Sequence, residues 1–259
     1  MNRYDIALDI ACNHNEELKQ NCLSQADKII KENEVIVLFT TDIHAQTEKL
    51  HIVKERLMEL ELEGRNVLLV DSGDINEKTR DITKQMNGYY DVVTAGNHDC
   101  SCTGKVFMDR VKEADFTYIA YDLVKDGEPV LDPYRIYEFP SMKIGFIGQS
   151  YLNTTSGKWD GAKAKRDPLV LQEWVDKIRN DVDYVILLLH NGEDAAKTIL
   201  KKVSGIDIIL GGHTHKIVAK TLTDMDGRNV CYAQAGVRLN CYGEMTISDT
   251  VTVEMKGMG

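Results

Sequence analysis

The amino-acid sequence predicts a layered α/β fold. From residue 35 onward, short apolar runs alternate with segments of helical periodicity, as expected for strands joined by crossover helices. A length of 259 residues fits one such domain. The sequence has only four prolines and no Pro/Gly-rich linker. We therefore expect one domain over residues 35–259, preceded by a helical extension over residues 1–34.

The N-terminal extension contains one amphipathic segment. Between Leu18 and Ile30, apolar residues recur at helical spacing and are flanked by Glu and Lys, which predicts a helix over about residues 15–33. Two interpretations remain open: a helix packed on the domain, or a surface that binds a partner.

The domain is expected to begin with alternating strands and helices and to end in antiparallel strands. Seven strands are expected over residues 35–40, 66–70, 91–94, 116–120, 143–148, 184–189 and 206–210. Five helices are expected over residues 48–63, 79–86, 106–113, 170–179 and 194–203. Residues 229–235 and 243–252 then predict two antiparallel strands, with turns at Asp226-Gly227 and around Gly236. The polar residues 153–166 predict a surface loop.

The acidic composition excludes several classes of partner. A net charge of −10 argues against binding to nucleic acid polymers or anionic membranes, because both need a basic face. A cation site would account for part of this charge, although simple solubility is the commoner reason.

The sequence also indicates a compartment. Charged residues interrupt any apolar segment in residues 1–34, which argues against a signal peptide, and no run approaches transmembrane length. The six cysteines include no Cys-x-x-Cys pair. We therefore expect reduced thiols and a cytoplasmic location.

Five of the seven histidines lie just beyond apolar runs, each close to an Asp, an Asn or a pair of glycines. They are His44, His98, His190, His213 and His215. Another run, residues 66–70, ends in Asp71-Ser-Gly73-Asp74. Imidazole, carboxylate and amide groups are ligands for divalent metals, and strand ends are where open α/β sheets build their sites. The pattern therefore indicates metal chemistry.

The residue types also suit a pair of ions. Two divalent ions about 3.5–4 Å apart need a shared carboxylate and several neutral nitrogen or oxygen ligands. Asp42 and His44 are two residues apart, so in an extended chain they point the same way. The same holds for His213 and His215. Asp74, after Gly73 in a tight turn, is the natural bridging carboxylate.

Each motif taken alone has an ordinary structural interpretation. Asp-x-His is common as a surface pair, Gly-Asn-His-Asp is a reasonable turn, and His190 suits a core histidine at a strand end. The presence of all five motifs in order, each at the end of a predicted strand, favours the metal site.

The chain resembles the calcineurin-like metallophosphoesterase superfamily, and specifically the catalytic domain of the 5′-nucleotidase / 2′,3′-cyclic-nucleotide phosphodiesterase family. The resemblance covers roughly residues 35–254. It rests on five blocks: Asp42-x-His44, Gly73-Asp74, Gly96-Asn97-His98-Asp99, His190 and Gly211-Gly212-His213-x-His215. It implies a four-layer α-β-β-α sandwich with mixed sheets, and identifies residues 35–259 as a metallophosphoesterase catalytic domain.

The resemblance also implies the role of each site residue. One ion would be held by Asp42, His44, Asp74 and His215, and a second by Asp74, Asn97, His190 and His213. Asn97 and His98 would contact the substrate, and His98 would donate a proton as charge develops on a phosphate oxygen. Attack would come from a water on the ions, whose pKa they lower. Nitrogen and oxygen ligation suits manganese, zinc, iron or cobalt.

Two positions depart from the family pattern. The catalytic histidine commonly has an Asp three residues later, where this chain has Ser101. We therefore take Asp99 with His98 as the catalytic candidates, although adjacent side chains point in different directions. Cys100 replaces a common Phe, so that Cys100 and Cys102 lie beside the site, either as packing thiols or with a redox or metal role.

The sequence therefore predicts a two-metal hydrolase of small phosphate esters. The resemblance favours nucleotides as substrates and a 5′-nucleotidase-like role in nucleotide catabolism, with no prediction of the oligomeric state. One alternative is a phosphodiesterase acting on cyclic nucleotides or other small diesters. Another is a non-catalytic scaffold on this fold, but such a protein is expected to lose ligands, and all seven proposed ligands are present.

Overall fold

The computed structural model describes residue 24 and residues 33–152 and 159–259. The helix predicted over residues 15–33 lies outside the described residues except at positions 24 and 33. Residues 153–158 of the predicted surface loop also lie outside them.

The described residues form a mixed α/β fold. Its strands are β1 (Val35–Thr40), β2 (Asn66–Asp71), β3 (Val92–Val93), β4 (Thr117–Tyr118), β5 (Leu123–Lys125), β6 (Glu128–Pro129), β7 (Tyr134–Glu138), β8 (Lys143–Gln149), β9 (Lys163–Ala164), β10 (Tyr184–Leu189), β11 (Ile208–Gly211), β12 (Ile217–Thr223), β13 (Asn229–Ala235), β14 (Cys241–Ile247) and β15 (Val251–Gly257). Its α-helices are α1 (Leu50–Leu62), α2 (Thr83–Met86), α3 (Gly104–Glu113), α4 (Pro168–Arg179) and α5 (Gly192–Leu200). Within this part of the chain, no helix has the length and apolar character needed to cross a bilayer.

Two six-stranded mixed sheets form the centre of the molecule. The first has the order β15-β14-β1-β2-β3-β4. Strands β1 to β4 are parallel to one another, β14 is antiparallel to β1, and β15 is antiparallel to β14. The second has the order β12-β13-β11-β10-β8-β7, with parallel central strands and an antiparallel strand at each edge. A small third sheet has the order β6-β5-β9.

The alternation of side chains along the strands divides the core into three parts. Val37 of β1 and Phe146 of β8 belong to the core between the two sheets. Leu38, on the other face of β1, packs in the core that contains Val53 of α1. Leu187 of β10 belongs to a third core with residues of α4 and α5. This four-layer α-β-β-α arrangement confirms the predicted fold class.

Hydrogen bonds join neighbouring loops of the first sheet, and join the two sheets to each other, where the parallel strands end. The amide of Asp42, beyond β1, donates to the carbonyl of Gly73 beyond β2 at 2.9 Å. The Ser72 hydroxyl of the first sheet donates to the carbonyl of Leu210 in the second at 2.9 Å. The loops that carry the histidine and aspartate motifs therefore meet at one place.

Many elements agree with the sequence prediction, and the differences have local causes. Strands β1, β10 and β13 have the predicted bounds. Residues 243–252 were predicted as one strand, which is wrong: β14 and β15 form a hairpin around Ser248, whose amide donates to the carbonyl of Thr250. Edge strand β12 was missed because most of its residues are exposed and form no apolar run.

The helix predicted over residues 79–86 is reduced to one turn, α2. The reason lies in side-chain hydrogen bonds that compete with the helix. Oδ1 of Asn76 accepts from the amide of Ile82 at 2.7 Å, and Oδ1 of Asp81 accepts from the amide of Thr83 at 2.9 Å. The preceding residues are therefore held as a loop that enters the site.

The prediction of a surface loop over residues 153–166 is wrong for part of its described residues. Trp159 is buried against Phe107, with ring centroids 5.1 Å apart, and its Nε1 donates to the carbonyl of Cys100 at 3.0 Å. Further on, β9 pairs with β5. The apolar indole therefore holds this segment on the core.

Substitution of Gly243 tests the packing inside the first sheet. It lies opposite Phe39 in the pairing of β14 with β1, and a Cβ atom there would overlap the Phe39 ring. We expect Gly243→Ala to lower the free energy of unfolding by about 1–3 kcal/mol, as overpacking does. Urea unfolding measures this. The matched control Gly257→Ala, on β15 with open space around it, should unfold like the wild type, and equal midpoints for both variants would contradict the packing described.

Candidate metal centre

Five of the seven side chains predicted as metal ligands converge where the strands end, and His213 lies beside them with its ring centroid 5.5 Å from that of His190. Three groups each bring their ligand atoms within 4.8 Å of one another: Asp42, His44 and His215; His44, Asp74 and His98; and Asp42, Asp74 and His190. These groups share members, so they form one continuous cluster. Asp42 and Asp74 are 0% and 1% exposed, and such buried carboxylates need a positive partner.

The first half of the cluster contains His44 and His215. Their Nε2 atoms are 3.3 Å apart. Oδ1 of Asp42 lies 3.4 Å from Nε2 of His215 and 3.8 Å from Nε2 of His44. Two imidazole nitrogens and one carboxylate oxygen thus surround a common point, as the ligands of one divalent ion do.

The second half contains His190, His213 and Asn97. Nδ1 of His213 is 2.8 Å from Oδ1 of Asn97. Burial and the neighbouring charge of His190 lower the pKa of His213, which favours the neutral imidazole that a metal ion requires. Oδ2 of Asp74 lies 3.2 Å from Nε2 of His190 and 3.9 Å from Nε2 of His44. Asp74 therefore lies between the two halves, where a shared carboxylate would be.

His190 provides the test of whether a cation fits. Its Nδ1 is 2.8 Å from the carbonyl of Ser72, and because a carbonyl only accepts, Nδ1 carries the proton. In the neutral ring Nε2 is then a bare lone pair. Nε2 is fully buried, has no hydrogen-bond partner among the described residues, and faces oxygens of Asp74 and Asp42. Oδ1 of Asp42 accepts from the amide of His213 at 3.2 Å, but Nε2 has no partner among the described residues, and this set of electron-rich atoms fits a metal ion.

The charge on His190 supports the same interpretation. Burial acts to lower the pKa of His190, but the negative charges of Asp74 and Asp42 outweigh it and raise the pKa to about 9. A proton on Nε2 or a cation between the carboxylates would therefore neutralise the same negative charge, and the two compete for this position.

The backbone around the cluster is unusual. Five of the predicted ligands have left-handed φ angles: Asp42 (52°), His44 (52°), Asp74 (59°), His213 (72°) and His215 (59°). Our expectation that an extended chain aligns residues two apart is therefore wrong, although Oδ1 of Asp42 still lies 3.8 Å from Nε2 of His44. Left-handed non-glycine residues cost about 1–3 kcal/mol each and concentrate at functional sites.

Neighbouring contacts hold these conformations in place. The amide of His44 donates to the carbonyl of Asp74 at 2.8 Å, and the amide of Arg238 donates to the carbonyl of Asp42 at 2.8 Å. At Gly212, a Cβ atom would lie 2.7 Å from Nδ1 of His190. The backbone at Gly212 therefore approaches His190 closely, and any side chain there would push the histidine aside.

Asp99 does not take the position expected of it. It is fully buried, and its carboxylate accepts hydrogen bonds from four backbone amides at 2.8–3.3 Å. The donors are the amides of Asp74, Ile75, Asn76 and Gly96. The expectation that Asp99 orients His98 therefore disagrees with the geometry: Asp99 binds the loop that carries Asp74.

Glu77 is the partner of His98, and the sequence analysis missed it. Oε2 of Glu77 is 2.8 Å from Nδ1 of His98, and Oε1 is 2.9 Å from Nδ1 of His44. Burial acts to lower the pKa of His98, but the Glu77 hydrogen bond and the charge of Asp74 outweigh it and raise the pKa. His98, 40% exposed, is therefore disposed to carry a proton toward the solvent side of the cluster.

The remaining unusual residues beside the site are structural. The Ser101 hydroxyl donates to the carbonyl of His98 at 2.6 Å, so it is not at the imidazole ring. Cys100, Cys102 and Cys241 are buried free thiols, and Cys231 is a partly buried free thiol. Burial raises the pKa of Cys100 and of Cys102, which disfavours the thiolate needed for redox or metal chemistry. Packing is the interpretation that this geometry favours.

Tyr151 is a further contact that the sequence analysis did not select. Its ring centroid lies 4.7 Å from that of His213, and the Arg166 guanidinium carbon lies 4.9 Å from the Tyr151 ring centroid. This stack limits how far the His213 ring can turn.

A comparison with known families and relatives agrees with this geometry. The family model for Calcineurin-like phosphoesterase matches residues 36–217, more than half of the chain. A snake venom 5′-nucleotidase from Crotalus adamanteus is 28% identical over 70% of this chain and 37% of that protein. A 5′-nucleotidase from Bos taurus is 23% identical over 70% of this chain and 38% of that protein. The chain thus spans well under half the length of these relatives.

Solved structures show the same fold. The NAD nucleotidase NadN of Haemophilus influenzae aligns with a TM-score of 0.72 at 17% identity, over 86% of this chain and 55% of that chain. The calcineurin-like phosphoesterase YfkN of Bacillus subtilis aligns with a TM-score of 0.70 at 18% identity, over 86% of this chain and 90% of that chain.

His215 offers a direct test of metal binding. We expect Mn²⁺ at 100 times its dissociation constant to stabilise the wild type by about 2.7 kcal/mol. In His215→Ala the affinity should fall at least roughly 10-fold, because a ligand nitrogen is lost, and the stabilisation should shrink accordingly. Thermal unfolding with and without Mn²⁺ measures both. His51→Ala, at an exposed histidine on α1, is the control, and a full response in His215→Ala would remove His215 from the site.

Substitution of Asp99 distinguishes a structural role of its carboxylate from a catalytic one. An amide in place of its carboxylate cannot accept from all four amides, so we expect Asp99→Asn to lower the free energy of unfolding by roughly 2 kcal/mol or more. Denaturant unfolding measures this, with Asp194→Asn at an exposed position as the control. Unchanged stability with lost turnover would instead assign Asp99 to catalysis.

Proposed function

Because this chain belongs to the calcineurin-like phosphoesterase family, we propose that it hydrolyses small phosphate esters with two divalent ions. The proposed ligands of the first ion are Asp42, His44, Asp74 and His215. Those of the second are Asp74, Asn97, His190 and His213. The observation that carries this proposal is the unpartnered, buried Nε2 of His190 facing two carboxylates.

The proposed chemistry divides between the ions and the chain. Divalent ions in these positions would supply Lewis acidity and lower the pKa of coordinated water. The chain's own contribution is the position of each donor atom and the proton on His98. With Nδ1 held by Glu77, Nε2 of His98 points toward the cluster, 4.0 Å from Oδ2 of Asp74. A proton held there would go to a phosphate oxygen as negative charge develops on it.

We propose a nucleotide as the substrate. The support is the name of the relatives, 5′-nucleotidase, at identities of 23–28%. A second candidate is a broader activity that includes phosphodiesters. Its support is YfkN, a relative described as a trifunctional nucleotide phosphoesterase, whose solved structure this chain covers to 90%. A non-catalytic scaffold is disfavoured because five of the seven proposed ligands converge beside His98, whose side chain is 40% exposed.

A substrate panel distinguishes these candidates. The protein is stripped of metal, reloaded with Mn²⁺, Zn²⁺, Fe²⁺ or Co²⁺ in turn, and assayed with nucleoside monophosphates, 2′,3′-cyclic nucleotides and bis-p-nitrophenyl phosphate. Preference for monophosphates supports the nucleotidase proposal, and preference for the diesters supports the alternative. Absence of hydrolysis with every ion would contradict both.

His98 is the residue on which the proposed proton transfer depends. We expect His98→Ala to lower kcat by about 10²- to 10⁴-fold, the usual contribution of a general acid, while the bound metal remains at the wild-type level. Steady-state kinetics and elemental analysis measure the two quantities. With His51→Ala as the control, equal turnover in His98→Ala would remove His98 from the mechanism.

A further inference from the structure

Glu77 contacts both functional parts of the site with one carboxylate. Oε1 lies 2.9 Å from Nδ1 of His44 and Oε2 lies 2.8 Å from Nδ1 of His98. The two rings pack edge to face, with centroids 4.5 Å apart and planes at 90°. The Nδ1 atoms therefore converge on Glu77, while both Nε2 atoms are left for the cluster.

The loop that carries Glu77 is anchored at several points. The amide of Glu77 donates to the carbonyl of Arg80 at 2.9 Å, and the carbonyl of Glu77 accepts from Nη2 of Arg110 at 2.9 Å. The Arg110 side chain is only 6% exposed. On the other side, the amide of Asn76 donates to the Asp99 carboxylate at 2.8 Å. Glu77 is thus held in place before any ligand binds, as a supporting residue of a binding site must be.

The protonation state of both rings follows from these contacts. An ionised carboxylate only accepts hydrogen bonds, so each histidine donates from Nδ1. In the neutral ring of His44, Nε2 is then the lone pair that a metal ion needs. The ring of His98 is held in the one orientation that presents Nε2 to the substrate side. The Glu77 side chain thus orients both the proposed metal ligand, His44, and the proposed proton donor, His98.

We propose that Glu77 is a positioning residue that couples the metal ligand His44 to the proton donor His98. This inference rests on the proposed function for the role of His98, but its metal-binding part does not require hydrolysis. In Glu77→Gln, the amide keeps one accepting oxygen and places a donating NH₂ where the second was. Only one of the two rings then keeps its Nδ1–H bond, and the other must turn or change tautomer.

Two separable effects are expected, one on metal affinity and one on turnover. The affinity for Zn²⁺ should fall about 10- to 100-fold in Glu77→Gln, as for other residues that orient a ligand, and kcat should fall about 10-fold or more with little change in KM. In the His98→Ala background, Glu77→Gln should still weaken Zn²⁺ binding but should cause no further loss of kcat, because the group it positions is gone.

Calorimetric Zn²⁺ titration and steady-state kinetics on the four variants of this cycle test the proposal. Nitrogen-15 NMR of the histidine rings in the Zn²⁺-loaded wild type adds a readout independent of turnover and should show Nδ1–H on His44. Glu244→Gln is the matched control, because both carboxylate oxygens of Glu244 accept from Arg56 away from the site. Wild-type Zn²⁺ affinity in Glu77→Gln, or an equal loss of kcat with and without His98, overturns the coupling. Absence of hydrolysis in the wild type contradicts the proposed function alone.

Discussion

Two carboxylates withdrawn from water, Asp42 and Asp74, impose the constraint on which the rest of the site depends. Each is almost fully buried, and both lie within 4 Å of Nε2 of His190. Their charges must be neutralised inside the protein, by protons or by cations. Without a cation, a proton on His190, whose pKa the carboxylates raise to about 9, neutralises part of this charge. The proposed pair of divalent ions would satisfy this requirement without protonating the ligands.

The fold supplies the rigidity that such a cluster needs. Parallel strands from both sheets end beside one another, and the motifs at Asp42, Asp74 and His213 leave their strands through left-handed residues that few side chains adopt. Buried Asp99 binds four amides of the loops around Asp74, and Gly212 leaves room for His190. Backbone strain is thus balanced by hydrogen bonds and close packing, so that the donor atoms are in place before any ion arrives.

Part of this was predictable from the sequence, and part was not. The alternating apolar runs predicted the layered fold, and the five motifs predicted which side chains meet, because the carboxyl ends of parallel strands share one edge of a sheet. Edge strand β12 has no apolar run and was missed. Glu77 was missed because it lies in a loop without a motif. Its contact with His98 depends on bonds between distant parts of the chain: Asp99 accepts from the amide of Asn76, and Arg110 donates to the carbonyl of Glu77.

The most direct test of the two-ion site is a crystal structure of the protein soaked with Mn²⁺, with anomalous scattering used to locate the ions. We expect two ions about 3.5–4 Å apart, with Asp74 between them, His44 and His215 on one, and His190 and His213 on the other. A single ion, or ions bound away from Asp42 and Asp74, would contradict it.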